Sequence, residues 1–130
     1  VTNRETWMVG SGAALLCAAC GSRPAAMDVC RKLEAAGVAS GCKETAPTGV
    51  YSAAKQVAEF EVAGLTGLKG RALTFAQSAT YDNTVRSYTE LGSRSADHRA
   101  GNRKRLVFVT LPEQASAEIA EKAEKVLNEL

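Results

Sequence analysis

Apolar and polar positions alternate over residues 57–62, so that Ala58, Phe60 and Val62 share one face and Glu59 and Glu61 the other. That is the period of a strand buried on one side, with an acidic outer face. A second alternation over residues 72–76 puts Leu73 and Phe75 together. Residues 106–111 break the alternation. Their continuous run of β-branched and aromatic side chains suits a central strand covered on both faces, and Pro112 ends it. Three other stretches repeat at helical spacing. Met27, Cys30 and Leu33 form a stripe over residues 25–36, with Gly37 as the stop. Tyr81, Val85 and Tyr88 form a second, in a helix that Ser78 or Thr80 starts and Gly92 ends. Ile119, Ala123, Val126, Leu127 and Leu130 form the third, which starts at Ser116, has Glu118 near its positive end and offers Glu121 and Lys125 as an i,i+4 pair.

Between these elements, residues 38–44 read as a weak strand, Pro47 and Gly49 mark a break, and residues 51–56 allow a short helical turn. Gly64, Gly67 and Gly70 punctuate a connection of the hairpin type; a phosphate-binding loop would need a different glycine spacing and a following helix. The predicted order is helix, weak strand, strand, strand, helix, strand, helix. The fold class is α/β (α+β): a two-layer sandwich with a small mixed sheet of three or four strands and about three helices on one side, preceded by a hydrophobic segment. The crossover from Phe75 to Phe108 is parallel and right-handed if its two strands share orientation. Cover for the other face of the last strand would come from a second copy of the chain, as a homodimer, or from the N-terminal segment.

That segment, residues 9–19, carries no charge. It is shorter than the roughly 20 residues that span a bilayer, and it fits the roughly 7 to 15 residue apolar core of a secretory signal. With Leu16 just upstream, Ala18 and Ala19 before the cut and Cys20 after it, the stretch resembles a bacterial lipoprotein signal peptide. The resemblance implies that residues 1–19 are a signal, that Cys20 takes the lipid, that residues 20–24 are a short tether, and that residues 25–130 form one small domain. It implies a location in the bacterial cell envelope, anchored to a membrane and facing the periplasm or the exterior.

The resemblance also sorts the cysteines. With Cys17 removed and Cys20 acylated, Cys30 and Cys42 remain as a pair in an oxidising compartment, where a disulfide forms and persists. The alternative is a cytoplasmic chain in which both are small buried apolar residues. In that case Cys17 and Cys20, at C-x-x-C spacing, would serve a redox or metal-binding module.

Composition narrows the choice little. The formal net charge is +2 and aromatic residues make up 5%, so global charge names no partner and Ala, Val and Leu must fill the core. Local charge is more informative. Arg94, Arg99, Arg103, Lys104 and Arg105 crowd residues 92–105 and form a candidate anion-binding stretch for phosphates, lipid headgroups or an acidic protein face. No aromatic residue interleaves them, and a membrane-anchored protein is a poor partner for nucleic acid. His98, with no placed nucleophile or metal cluster, makes no catalytic argument. The expectation is a non-enzymatic binding or accessory protein without cofactor or metal, held at a membrane and serving an envelope partner.

Overall fold

A computed structural model describes residues 23–95 and 98–130. The chain is α+β, in the order α1 (Ala26–Ala35), β1 (Ala39–Thr45), a 3-10 turn (Gly49–Tyr51), β2 (Gln56–Val62), β3 (Lys69–Thr74), α2 (Ser78–Ser95), β4 (His98–Asn102), β5 (Val107–Leu111) and α3 (Ala117–Asn128). The strands make one sheet in the order β1-β2-β3-β5-β4, and every neighbouring pair is antiparallel.

The mixed sheet of three or four strands is thereby corrected to five antiparallel strands among the described residues, and the reason lies in β4. Residues 98–102, read from the sequence only as part of the basic stretch over residues 92–105, form an edge strand. A crossover from β3 through α2 does reach a strand of the same direction, but that strand is β4. The chain then turns at residues 103–106 and comes back between the two as β5, antiparallel to both. This is a split β-α-β arrangement.

The helices occupy both faces of the sheet, which replaces the expected two-layer arrangement. On one face α1, through Ala26, Val29, Cys30 and Leu33, and α3, through Ala123 and Leu127, cover Ala58, Phe60, Val62, Ala72, Val107, Val109 and Leu111. On the other, α2 brings Tyr81, Val85 and Tyr88 over Val57, Leu73, Phe75 and Phe108, with Ala54 and Tyr51 beside them. The continuous apolar run of β5 is explained by this double cover. The chain's own α2 supplies the second layer, so neither a second copy nor the N-terminal segment is needed for it.

Two glycines allow the close packing. A Cβ on Gly70 would run into the ring edge of Phe60, its partner on β2, and one on Gly101 would run into the Tyr81 hydroxyl. The boundaries follow local chemistry. Ser116 caps α3 by accepting from the Ile119 N–H at 3.2 Å. Gly37, at φ +83°, follows α1, whereas α2 runs past Gly92 to Ser95. On α3 the ion pair is Glu118 with Lys122, at 3.5 Å.

Candidate functional site

The elements converge at one end of the sheet. Gln56, Thr74, Val107 and Asn102 form a row across β2, β3, β5 and β4. Beside this row α1 and α2 begin, α3 finishes, and Arg23 brings in the chain. Gln56 organises the junction: its Oε1 accepts from the Ala26 N–H at 3.0 Å and from the Thr74 hydroxyl at 3.5 Å, so the start of α1 is tied to two strands. Arg23 Nη1 donates to the Ala76 carbonyl at 3.0 Å, and the Lys55 N–H donates to the Thr74 carbonyl at 2.7 Å.

The turn at residues 103–106 is fixed from two sides. Asn102 Nδ2 donates to the Leu127 carbonyl at 2.6 Å, and its Oδ1 accepts the Arg105 N–H at 3.1 Å. Leu106, buried at φ +56°, turns the chain back and accepts the Phe75 N–H at 3.0 Å. Arg103 reaches α2 in a two-point contact with Asp82, Nε to Oδ1 at 2.9 Å and Nη2 to Oδ2 at 3.0 Å. The hydrogen bonds from Arg103 hold the Asp82 carboxyl below its ordinary range and raise the guanidinium in turn, while burial and then the Asp82 charge raise the Tyr81 phenol.

This pair yields a test with a defined sign. The depressed Asp82 pKa means that the contribution to stability is present above the ordinary carboxylate value of about 3.9 and fades as pH falls through the folded value. Asp82→Asn is expected to lower stability slightly at about pH 7, because both partners face solvent, and to lose that difference near pH 2. Urea unfolding of both proteins at the two pH values measures it; an unchanged gap in acid would contradict the assignment.

Two clefts mark this end. One, of about 270 Å³, is lined by Arg23, Pro24, Asp28, Lys32, Arg105, Glu129 and Leu130. The other, of about 120 Å³, shares Arg23 and Pro24 and adds Lys55, Gln56, Thr74 and Phe75 among its walls. Arg23 therefore stands between cations contributed by α1, by the segment before β2 and by the β4–β5 turn. These residues are distant in sequence, and nothing short of the sheet order signals that they meet.

The predicted basic stretch is divided by the fold. Arg103, Lys104 and Arg105 lie in the turn at this end. Arg99 sits on β4, over the α2 side of the sheet, and donates to the Tyr88 carbonyl. Arg94 belongs to the last turns of α2, and its side chain lies outside the described residues. On the α2 side, Lys43, Glu59, Arg71, Thr110 and Arg99 form one row across all five strands. Arg71 pairs with Glu59 at 3.0 Å and stacks over the Tyr51 ring at 4.9 Å, and Lys69 pairs with Glu61 at 3.4 Å. The acidic face of β2 is thus matched by basic residues of β3, which starts at Lys69, earlier than its alternation suggested.

Cys30 and Cys42 are joined as a disulfide with Sγ–Sγ 2.06 Å and Cα–Cα 6.0 Å, linking α1 to β1. Cys17 and Cys20 lie outside the described residues. Among the described residues no three His, Cys, Asp or Glu side chains gather in a way that would hold a metal ion, and no helix is long and apolar enough to cross a membrane. Compared with family models, with curated proteins and with solved structures, the chain matches none.

Proposed function

We propose that this chain is a small exported, lipid-anchored, non-enzymatic binding or accessory protein of the bacterial envelope, attached through Cys20. The observation that carries the reading is the Cys30–Cys42 bridge. Disulfides form and persist in oxidising compartments and are rare in the cytosol. The bridge also uses the two cysteines of the folded domain for its framework, which leaves Cys17 and Cys20 inside the apolar, signal-like stretch. A binding role is supported by the charge arrangement: Arg71 and Arg103 are paired with carboxylates of neighbouring elements, and the cations around Arg23 line open clefts at the surface.

Intact mass and cell fractionation of the native protein, with and without reduction, test the reading. The expected product begins at Cys20, carries acyl groups, stays in the membrane fraction and gains two protons on reduction. A soluble chain that keeps residues 1–19 and has free Cys30 and Cys42 thiols would overturn it. Metal and redox chemistry at Cys17 and Cys20 would then be the next measurement.

A further inference from the structure

We propose that the end of the domain where the chain emerges, carrying Arg23, Lys32, Lys55, Lys104 and Arg105, docks on anionic phospholipid headgroups. The inference rests on the lipid-anchored reading above, because it takes Cys20 as the point held at the membrane. Cys20 stands three residues before Arg23, and three extended peptide units reach about 10 Å. An anchor on so short a tether brings the surface around Arg23 to the headgroups.

That surface has the charge to suit them. Arg23 and Lys32 share one cleft with Arg105, and Arg23 shares the next with Lys55. Lys104 precedes Arg105 in the β4–β5 turn, which Asn102 fixes against the end of α3. The side chains of Arg23, Lys32, Lys55 and Lys104 are exposed. Opposing carboxylates are Asp28 and Glu129 in the larger cleft and Asp82, which is held by Arg103. Arg105 aside, the exposed Arg23, Lys32, Lys55 and Lys104 outnumber the two carboxylates of the cleft. Helices α1 and α2 begin here and α3 ends here, so two positive dipole ends stand against one negative.

Position selects the partner where charge alone would not. The potential of an anionic leaflet decays within a Debye length, about 8 Å at physiological ionic strength, so only cations near the anchor feel it. Lys69, at the start of β3 and paired with Glu61, lies at the opposite end of the strands and serves as the internal control.

The test uses the mature chain that the anchored reading gives, residues 20–130, with Cys20→Ser, which cannot be acylated and lacks the apolar residues 9–19. It is sedimented with vesicles of phosphatidylglycerol in phosphatidylcholine, and with phosphatidylcholine alone. Binding is expected only to the anionic vesicles, with release as added salt shortens the Debye length from about 30 Å to about 8 Å. Each cation near the surface is worth about fivefold in partitioning, so Lys55→Gln with Lys104→Gln is expected to weaken binding roughly 25-fold, and Lys69→Gln to leave it unchanged. Equal, salt-insensitive binding to both vesicle types would overturn the proposal, as would no binding or an equal loss with Lys69→Gln. The anchor is judged separately by the mass of native Cys20. A lipidated native chain whose serine variant ignores anionic vesicles removes the docking surface and keeps the anchor; an unlipidated native chain whose serine variant still binds by charge does the reverse.

Discussion

Replacing Cys30 and Cys42 by alanine is expected to lower the unfolding free energy by about 3 kcal/mol, the chain-entropy value for a loop of this length. The midpoint of thermal unfolding should fall by roughly 15 °C. The bridged residues are separated by 12 positions, and one end, Cys30, is fully buried on the inner face of α1. The other end lies on β1, the strand with most to lose. It is an edge strand, exposed over much of its length, and its register on β2 shifts between Ser40 and Lys43, where Gly41 adopts φ +66°. Without the bridge β1 is held on one side only. Loss of amide protection is therefore expected to begin in residues 39–45 and to spare β5, as read by hydrogen exchange. Alanine avoids placing a hydroxyl in the core. A change below about 1 kcal/mol in urea unfolding would show that β2 and α1 hold the edge unaided.

Phe60→Ala is expected to cost about 3–5 kcal/mol, the range for emptying a fully buried aromatic site. Its ring lies across the strand gap on Gly70 and fills the space that a side chain on Gly70 would take. Gly70→Ala alone forces the new methyl group into that ring and to within 3.1 Å of Leu111, so overpacking is expected to cost about 1–3 kcal/mol. Made together, the two changes relieve one another: the methyl group enters the space the ring has left. The double variant should be more stable than the sum of the single losses predicts, by about 0.5–3 kcal/mol. Urea unfolding of the four proteins measures the coupling. Strict additivity would mean that the ring and the glycine are independent.

How far the pattern of residues announced these features varied by element. The alternation around Phe60 and the unbroken run of residues 106–111 were readable because each strand shows one face or two to the core, and the structure places both as expected. The stripe Tyr81, Val85, Tyr88 announced a packed helix but not which side of the sheet it covers. That depends on Leu73, Phe75 and Phe108 presenting a second apolar surface, a property of the assembled strands. Strand β4 was hidden. His-Arg-Ala-Gly-Asn holds one small apolar residue and reads as a charged loop; its pairing comes from β5, and the space above Gly101 is filled by Tyr81. The same concealment affected the candidate site. A run of cations in sequence was visible and the fold divided it, whereas Arg23, Lys32 and Lys55 gather only because α1 and β2 start at the end where β4 turns into β5.

The place of β5 in the sheet also bears on when the protein can fold. It lies between β3 and β4, yet of the strands of this sheet it comes last in the chain. Until residues 107–111 are available, β3 and β4 have no partner joining them, and the layer that α2 and α3 cover has a gap at its centre. Such long-range pairing must await its final segment. The sheet of such a chain stays incomplete until β5 has been made. For a protein exported as proposed here, the sheet can be completed only once residues 107–111 have reached the far side of the membrane.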